Sequence, residues 1–341
     1  GTSPTVSYSS SESSVVSIDS ATGKAKAESI GSAVITVKID VANETLSKQQ
    51  SVTVNKFYLE GTTSEVDASS LITSDNITGY RVTTAKDGAI VNQYDAEALP
   101  TTVDMTDADS YEIDPIYTYN SLSGVTGSGY TASDVFADGF YNMTFTKGDT
   151  RRADIYVNGY MVGNNVDQYG EGKSITGATE YTIHDAVITG GSITVTTTDL
   201  GGNGSISKTV IVKAPSNVNR KKKVYIIGDS LVANYYGTFN ENTVVGGART
   251  GWGQVIGSFF NDDYEVVNLA NSGAIARGLY ETAFPGIEMM AQPGDYFIAE
   301  SGYNDSNPKN NTSREELYNC IVAMVEKCEA KGVHSVIVSP N

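Results

Sequence analysis

Apolar and polar residues alternate in short runs through roughly the first two thirds of the chain, and the pattern changes near residue 217. In residues 1–56 the apolar runs lie around Val15–Ile18 and Ala33–Ile39, with a glycine at position 31 between them. Alternation with a period of two is typical of strands with one buried face. We therefore expect a small β-sandwich in this first segment.

Residues 57–216 show the same alternation on a larger scale. Four segments stand out as strands: Phe140–Phe145, Ala153–Val157, Tyr181–Ile188 and Ser192–Thr196. Gly148-Asp149, Asn158-Gly159 and Gly190-Gly191 lie at their ends, and such pairs supply the positive φ angles that tight turns need. The segment is predicted to be a second β-sandwich.

Residues 217–341 carry continuous apolar runs instead. Four of these runs have the character of strands buried on both faces: 224–227, 266–270, 296–299 and 335–338. Between the last two lies an amphipathic helix, with a capping box of Thr312 and Glu315 at its start and Gly332 at its end. Alternating strands and helices predict a parallel, three-layer α/β sheet. Arg220–Lys223, which precedes the first strand, is expected to be a solvated strand entry.

Charge and composition narrow the range of ligands and locations. The chain has 40 acidic and 23 basic residues, a net charge of −17, which repels nucleic acid and anionic membrane surfaces. It contains no run of about 18 apolar residues, so we expect no membrane insertion. The abundance of small polar residues and tyrosine, with 18% charged residues, is typical of secreted bacterial proteins that meet polysaccharide. We therefore expect an extracellular protein whose ligand is a neutral polymer or a small molecule.

The amino terminus and the cysteines add little to this picture. Gly1–Pro4 is expected to be a mature or trimmed end, because no basic and apolar leader precedes it. Cys320 and Cys328 lie about 12 Å apart along the predicted helix, which exceeds the roughly 7 Å limit for a disulfide. Both are expected to be unpaired core residues.

The first two segments resemble known non-catalytic modules. Residues 8–37, with Thr22-Gly23-Lys24 between the two apolar runs, resemble the bacterial Ig-like family, without its usual first strand. That resemblance implies a spacer or an adhesion module. Residues 57–216 resemble the accessory jelly-roll modules of polysaccharide-degrading enzymes, which often bind carbohydrate. This resemblance implies an accessory, carbohydrate-binding role.

Two clusters in the second segment have a binding and a structural interpretation. Tyr156, Tyr160 and Tyr169 can stack on sugar rings or fill cross-strand positions. A second cluster, Asn164, Asn165, Asp167 and Glu171, offers oxygen atoms that could bind calcium. Turn formation is the favoured interpretation of this cluster, so we assign no metal site.

Polar residues with catalytic potential follow three of the four α/β strands. The strand ends run into Gly228-Asp229-Ser230, Asn271-Ser272-Gly273 and Ser301-Gly302-Tyr303-Asn304-Asp305. Ligands of such sheets bind beyond the carboxyl ends of the strands. A serine at a strand end can expose its hydroxyl to substrate, and a glycine N–H with an asparagine amide can stabilise a developing oxyanion. The pattern predicts acyl-transfer chemistry.

The order of these blocks resembles the SGNH or GDSL hydrolases, and most closely their rhamnogalacturonan acetylesterase branch. The resemblance covers residues 224–341 and includes Gly251-Trp252-Gly253-Gln254 and Pro293-Gly294-Asp295-Tyr296. It implies that Ser230 is the nucleophile and that the N–H groups of Ser230 and Gly273 form the oxyanion hole with the Asn304 side chain. Asp229, Trp252 and Tyr303 are the candidate substrate-binding residues, although both aromatic side chains also suit packing.

The chain departs from that branch at several points. Tyr303 stands where that branch often has His, and Ala274-Ile275 stands where it often has Arg-Ser. These differences leave the acyl-transfer chemistry intact, but the resemblance no longer specifies which polysaccharide is the substrate. The family's final Asp-x-x-His block, which supplies the catalytic base, has no counterpart up to Asn341. His184 and His334 are expected to be structural or surface residues. We therefore expect the natural chain to continue into a segment that carries this block.

These observations together predict a secreted carbohydrate esterase. As the resemblance to the acetylesterases implies, it would remove acetyl groups from an acetylated plant polysaccharide through a serine nucleophile and an acetyl-enzyme, without a cofactor. Two other functions stay open: a lipid or aryl esterase on the same scaffold, and a binding or adhesion protein without catalysis. Acyl-chain preference separates the first from the deacetylase, and an inert Ser230→Ala substitution identifies the second.

Overall fold

The structure is a computed structural model of the chain. It describes residues 4–28, 31–41, 44–54, 63–65, 74–120, 130–132, 134–147, 153–166, 180–199, 206–234 and 251–340. The chain forms two compact units. One comprises Gly1–Ile72, Thr83–Gln93 and Leu99–Tyr111, and the other comprises Thr73–Val82, Tyr94–Ala98 and Glu112–Asn341. The predicted domains 1–56, 57–216 and 217–341 stay predictions.

The amino-terminal segment contains a small antiparallel sheet and a hairpin. Its strands are β1 (Thr5–Ser10), β2 (Val16–Ile18), β3 (Ala25–Ala27), β4 (Gly31–Val41), β5 (Glu44–Val54) and β6 (Thr63–Glu65). The sheet has the order β1-β4-β5, and β2 pairs with β3. Val16 and Ala33 are buried at the centre of a small core. The Ig-like assignment of this segment stays a prediction.

The middle of the chain is formed by longer strands in two sheets. The strands are β7 (Ile77–Lys86), β8 (Ala89–Ala96), β9 (Thr102–Asp104), β10 (Ser110–Asn120), β11 (Tyr130–Thr131), β12 (Gly139–Lys147), β13 (Ala153–Val157), β14 (Tyr160–Val166), β15 (Glu180–Ile188), β16 (Thr194–Asp199) and β17 (Ile206–Lys213). One sheet has the order β15-β12-β17-β10-β7-β8, the other β11-β16-β13-β14, and β6 pairs with β9.

Alternate side chains of these strands explain why the two sheets pack together. Met143 and Phe145 of β12 lie in one apolar core with Ile155 and Val157 of β13, all without exposed surface. The four strands named from the sequence correspond to β12, β13, β15 and β16. The jelly-roll resemblance of this region stays a prediction.

Positive φ angles occur at the turns where the sequence predicts them. Asn158 and Gly159 join β13 to β14 with φ of 50° and 83°, and Gly190 and Gly191 have 85° and 79°. The Asn158-Gly159 values suit a tight turn between the paired antiparallel strands β13 and β14, whereas Gly190-Gly191 lies in the connection from β15 to β16, which belong to different sheets. Gly148-Asp149 lies outside the described residues.

The final third has a parallel sheet with helices between its strands. Its elements are β18 (Lys222–Ile227), α1 (Trp252–Val255), β19 (Tyr264–Asn268), α2 (Ala276–Thr282), α3 (Phe284–Met290), β20 (Tyr296–Glu300), α4 (Arg314–Ala330) and β21 (His334–Val338), with short 3₁₀ helices at Ile256–Phe259 and Pro308–Asn310. The sheet order is β19-β18-β20-β21, and every neighbouring pair is parallel. The four predicted strands and their parallel arrangement are therefore present.

The two faces of the parallel sheet belong to different cores. Tyr225 and Ile227 of β18 face the core that contains helix α3 and the neighbouring antiparallel sheets. Val224 and Ile226 face a second core, against which Trp252 packs. Burial on both faces explains the continuous apolar run of this strand.

Helix α4 begins one residue later than the capping box predicts. Ser313 is its N-cap, and the Ser313 Oγ accepts a hydrogen bond from the Glu316 N–H at 3.0 Å. The Thr312 hydroxyl instead donates to the Asn310 carbonyl oxygen at 3.5 Å. The prediction of Thr312 was wrong because Ser313 and Glu316 satisfy the same spacing one position along the chain.

Helix α3 packs directly on the antiparallel strand β14. A Cβ added to Gly286 would lie 2.1 Å from the Met161 carbonyl oxygen, so only glycine permits this approach. Asn164 of β14 is buried, and its Nδ2 donates to the Leu269 carbonyl oxygen at 3.4 Å. The antiparallel sheets therefore help to cover the parallel sheet.

Buried ion pairs lie at the amino end of the parallel sheet. Arg220 donates to both carboxylate oxygens of Asp295, at 2.8 and 2.9 Å, and Asp295 has no exposed surface. Lys223 is 1% exposed, donates to Glu265, and lies 3.6 Å from the Asp185 carboxylate of β15. The expectation of a solvated strand entry was therefore wrong for Arg220 and Lys223, because carboxylates from two neighbouring strands and a loop neutralise them.

Candidate active site

Three loops meet at the carboxyl ends of the parallel strands. The Asn271 N–H donates to the Gly228 carbonyl oxygen at 2.9 Å, which joins the loops after β19 and β18. The Asn304 Nδ2 donates to the Asp229 Oδ2 at 3.2 Å and to the Ala274 carbonyl oxygen at 3.0 Å. The structure therefore brings together the three blocks that contain Ser230, Gly273 and Asn304.

Ser230 lies in a tight turn directly after β18. The N–H groups of Val232 and Ala233 donate to the Asp229 carbonyl oxygen at 3.1 and 3.0 Å. A Cβ at Gly228 would lie 2.4 Å from Val232 Cγ2, so a larger residue there would push the turn away. Ser230 is partly exposed, whereas the residues before it are buried. The turn thus leaves the serine at the surface of a rigid strand end.

Asp229 occupies a different position from that expected of a substrate-binding residue. Its side chain has no exposed surface. The Oδ1 accepts from the Leu231 N–H at 2.9 Å, and the Oδ2 accepts from Asn304. With both carboxylate oxygens engaged within the chain, Asp229 orients the Ser230 turn and Asn304 in this structure. Its substrate contact stays a prediction.

Gly273 lies in a turn after β19. Its φ is 82°, a value that favours glycine, and the Ala274 N–H donates to the Asn271 carbonyl oxygen at 3.1 Å. Gly273 is exposed, and a Cβ added there would meet nothing within 4 Å. Among the described residues we find no hydrogen bond from its N–H. Backbone conformation, and not crowding, therefore explains the glycine.

Asn304 is held by a network centred on Asp305. The buried Asp305 carboxylate accepts from the Ala276 N–H at 3.0 Å, the Ser301 Oγ at 2.9 Å and the Gly302 N–H at 3.1 Å. These bonds tie the loop after β20 to the start of α2. Sequence reasoning did not name Asp305 as a site residue, although it follows Asn304 directly in the quoted block.

Both amide hydrogens of Asn304 have acceptors in this structure. An asparagine NH₂ group supplies two donors, and these go to Asp229 and Ala274. To donate to an oxyanion, Asn304 must therefore exchange one of these bonds. The longer of the two is the bond to Asp229, at 3.2 Å.

Trp252 packs against the turn that carries Ser230. Its backbone N–H donates to the Leu231 carbonyl oxygen at 2.8 Å, and its indole Nε1 donates to the Glu300 Oε2 at 2.5 Å. The indole is partly buried. Tyr303, by contrast, is 58% exposed. The substrate roles of both aromatic residues stay predictions.

Neither histidine lies at this end of the sheet. The His184 Nδ1 lies 3.1 Å from the Glu265 Oε1, and Glu265 pairs with Lys223 near the start of β18. His334 is the first residue of β21, and its ring centroid lies 5.1 Å from that of Tyr296, the first residue of β20. Ser230 lies beyond the opposite, carboxyl end. The structure therefore places both histidines away from Ser230, as expected.

The pKa of Glu265, a carboxylate of this amino-end cluster, is perturbed. Burial raises its pKa, but the hydrogen bond from His184 and the charge of Lys223 outweigh burial and hold the pKa below the ordinary value. This cluster lies at the end of the sheet opposite Ser230, so we assign it a structural role and not a catalytic one.

The two binding clusters of the antiparallel region are only partly described. Tyr156 is partly buried and Tyr160 is 40% exposed, whereas Tyr169 lies outside the described residues. Asn164 is buried against Leu269, and Asp167 and Glu171 lie outside the described residues. Within the described part of the chain, no group of three or more His, Cys, Asp or Glu side chains is arranged to hold a metal ion.

Comparison with known proteins gives three relatives from Bacillus subtilis (strain 168), while no family model matches the chain. The first is the "Uncharacterized esterase YxiM", 28% identical over 220 residues, or 63% of this chain and 54% of that protein. The others are the "Probable rhamnogalacturonan acetylesterase YesY" (25% identical; 34% and 52% covered) and the "Rhamnogalacturonan acetylesterase RhgT" (29% identical; 26% and 39% covered). The chain is a relative of these esterases.

The predicted resemblance to rhamnogalacturonan acetylesterases is thus confirmed. The chain spans about half the length of the first two relatives and 39% of the third. The crystal structure of YxiM from Bacillus subtilis matches with a TM-score of 0.48 and 22% identity, covering 77% of this chain and 64% of that one.

None of the described helices is long and apolar enough to cross a membrane.

Proposed function

We propose that the chain is part of a secreted serine esterase that removes acetyl groups from an acetylated plant polysaccharide. The observation that carries the proposal is the meeting of Ser230, Gly273 and Asn304 on three linked loops at one end of a parallel sheet. The relationship to esterases supports the reaction class. The name of one relative supports the polysaccharide, since it is a rhamnogalacturonan acetylesterase.

In the proposed reaction, the Ser230 Oγ forms a bond to the acetyl carbonyl carbon while a base takes its proton. The carbonyl oxygen becomes an oxyanion, which accepts hydrogen bonds from the N–H groups of Ser230 and Gly273 and from Asn304. Collapse of this intermediate breaks the ester bond, and the sugar oxygen leaves with the proton. Water then attacks the acetyl-enzyme by the same steps and releases acetate.

Asn304 enters this reaction through an exchange of partners. Its 3.2 Å hydrogen bond to the Asp229 carboxylate opens as the oxyanion forms, while the bond to Ala274 keeps the amide in place. Asp229 and Asp305 act as positioning residues, one for the Ser230 turn and one for the Asn304 loop. The proposed reaction requires no metal or cofactor.

Neither histidine of the chain serves as the base of the proposed reaction. His184 and His334 lie toward the amino ends of the strands, so neither reaches Ser230 without rearrangement of the sheet. We therefore retain the prediction that an Asp-x-x-His block in a further part of the natural protein supplies the base.

The test measures acetate release from acetylated rhamnogalacturonan by the full-length natural protein. Ser230→Ala should lower kcat by a factor of about 10⁴ or more. Ser258→Ala is the matched control, because this exposed serine lies on the neighbouring 3₁₀ helix and donates to the Val255 carbonyl oxygen at 2.8 Å. Substantial activity of Ser230→Ala would overturn the proposal.

A second variant tests the oxyanion role. Asn304→Ala should lower kcat by about 10² to 10³, with little change in KM. A change in KM alone would instead indicate that Asn304 positions substrate. Hydrolysis of aryl esters with acetyl and longer acyl chains separates the deacetylase from a lipid or aryl esterase, since a deacetylase should favour acetyl strongly.

A further inference from the structure

A buried carboxylate beside the candidate site has no part in the proposed reaction. Glu300, the last residue of β20, is 3% exposed. Ala299 pairs with Ile227 in the parallel sheet, so Glu300 lies beside Gly228. The Glu300 carbonyl oxygen would lie 3.1 Å from a Cβ on Gly228. Glu300 is therefore next to the turn that carries Ser230.

The Glu300 side chain holds an aromatic ring. Its Oε2 accepts a hydrogen bond from the Trp252 Nε1 at 2.5 Å. A buried carboxylate is costly unless its oxygens are hydrogen-bonded, and a hydrogen bond to a charged acceptor is shorter and stronger than a neutral one. The indole N–H is a donor only, so this bond fixes the orientation of the ring edge.

The backbone of the same segment is fixed against the Ser230 turn. A Cβ at Gly251 would lie 2.3 Å from the Ala233 carbonyl oxygen, and a Cβ at Gly253 would lie 2.5 Å from the Val232 carbonyl oxygen. The glycines on both sides of Trp252 therefore allow an approach that other residues would prevent. Trp252 is anchored at its backbone and at its ring nitrogen and packs against the second core, while the residue as a whole stays partly exposed.

We infer that Glu300 is a positioning residue that locks the Trp252 indole as a stacking surface for a sugar ring beside Ser230. A pyranose presents an apolar face of C–H groups, and a fixed indole offers a large apolar ring without the cost of ordering a mobile side chain. The inference rests on the proposed function, because it takes the acetylated sugar as the substrate. It adds the feature by which the site prefers an ester whose alcohol part is a sugar ring over an ester of a flexible alkyl alcohol.

The chain provides a direct spectroscopic test. Trp252 is its one tryptophan, so tryptophan emission, excited where tyrosine does not absorb, comes from this ring alone. The chain is titrated with acetylated and deacetylated rhamnogalacturonan oligosaccharides, and calorimetry measures binding independently. We expect a saturable change in emission that follows the calorimetric isotherm.

Two substitutions then test Glu300. Glu300→Leu removes the acceptor and should shift the emission and weaken oligosaccharide binding about two- to tenfold, the cost of reordering one side chain on binding. Glu300→Gln keeps an acceptor oxygen and should restore both the emission and the affinity to within about twofold. Glu329→Leu, an exposed position on α4, is the control for the same loss of charge.

Several results would overturn the inference. These are calorimetric binding without a change in Trp252 emission, absence of oligosaccharide binding, unchanged affinity in Glu300→Leu, or an equal loss of affinity in a folded Glu300→Gln. Failure of the proposed function has a different signature. If the emission responds to sugar as expected while Ser230→Ala retains acetate release, the stacking surface stands and the serine mechanism falls.

Discussion

Replacement of Gly286 by alanine tests whether helix α3 is packed as closely on strand β14 as the structure indicates. The added methyl group would lie 2.1 Å from the Met161 carbonyl oxygen and 3.1 Å from its carbonyl carbon. These are backbone atoms and cannot turn aside, so helix and strand must separate by roughly 1 Å. Overpacking of this kind costs about 1 to 3 kcal/mol, against a helix-propensity gain of about 0.5 to 1 kcal/mol.

The midpoints of these two ranges leave a net loss of about 1 kcal/mol, which should be visible as a lower melting temperature. For a domain of about 150 to 250 residues, each kcal/mol corresponds to about 2 to 4 °C, so we expect a decrease of roughly 2 to 4 °C. Calorimetry and urea unfolding of the purified chain measure it.

Gly278→Ala is the matched control. Gly278 lies within α2, and its Cβ would meet only the Ile275 Cγ1 at 3.9 Å, within ordinary contact distance. This substitution should raise the free energy of unfolding by about 0.5 to 1 kcal/mol. If Gly286→Ala proved as stable as Gly278→Ala, the close contact between α3 and β14 would be refuted.

Three further predictions concern buried charged and thiol groups. Asp295→Ala leaves Arg220 without its bidentate partner and should lower the free energy of unfolding by about 3 to 5 kcal/mol in urea titrations, and a loss below about 1 kcal/mol would contradict the buried ion pair. Burial raises the pKa of the Cys328 thiol to about 12, so a thiol reagent at neutral pH should modify Cys320 long before Cys328, and equal rates would count against the packing of α4. Because the pKa of Glu265 is lowered in the folded chain, its contribution to stability is complete above about pH 4.3 and is lost as the pH falls through the folded pKa; Glu265→Gln should flatten that acid limb, and an unchanged slope would refute the assignment.

The parallel sheet was accessible from the sequence because its strands are buried on both faces. An uninterrupted apolar run such as that of β18, followed directly by polar residues, is typical of a strand buried on both faces that ends at a loop. Parallel strands place their carboxyl ends at one edge, so the meeting of Ser230, Gly273 and Asn304 followed from three strand ends. That part of the site depends on local patterns and one rule of topology.

Contacts between distant segments were not accessible in the same way. Nothing in the residues around Gly286 indicates that the Met161 carbonyl oxygen covers it, because the two positions meet only in three dimensions. The carboxylate partners of Arg220 and Lys223 likewise come from β15, β19 and the loop before β20, so the sequence pattern alone predicts a solvated basic run. The sequence indicates that Trp252 is an aromatic residue near a strand end, but its hydrogen-bond acceptor Glu300 lies in β20, far along the chain.

The close contact between Gly286 and Met161 has a consequence for synthesis on the ribosome. Strand β14 emerges roughly 120 residues before helix α3, a delay of roughly 6 to 25 s at about 5 to 20 residues per second. During that interval the apolar core that contains Val162 of β14 still lacks its members from α3, such as Ile287. The nascent chain therefore displays an apolar strand face that chaperones can bind and that favours aggregation when they are scarce. A version of the chain that ends before Pro285 should consequently be recovered mainly as insoluble protein.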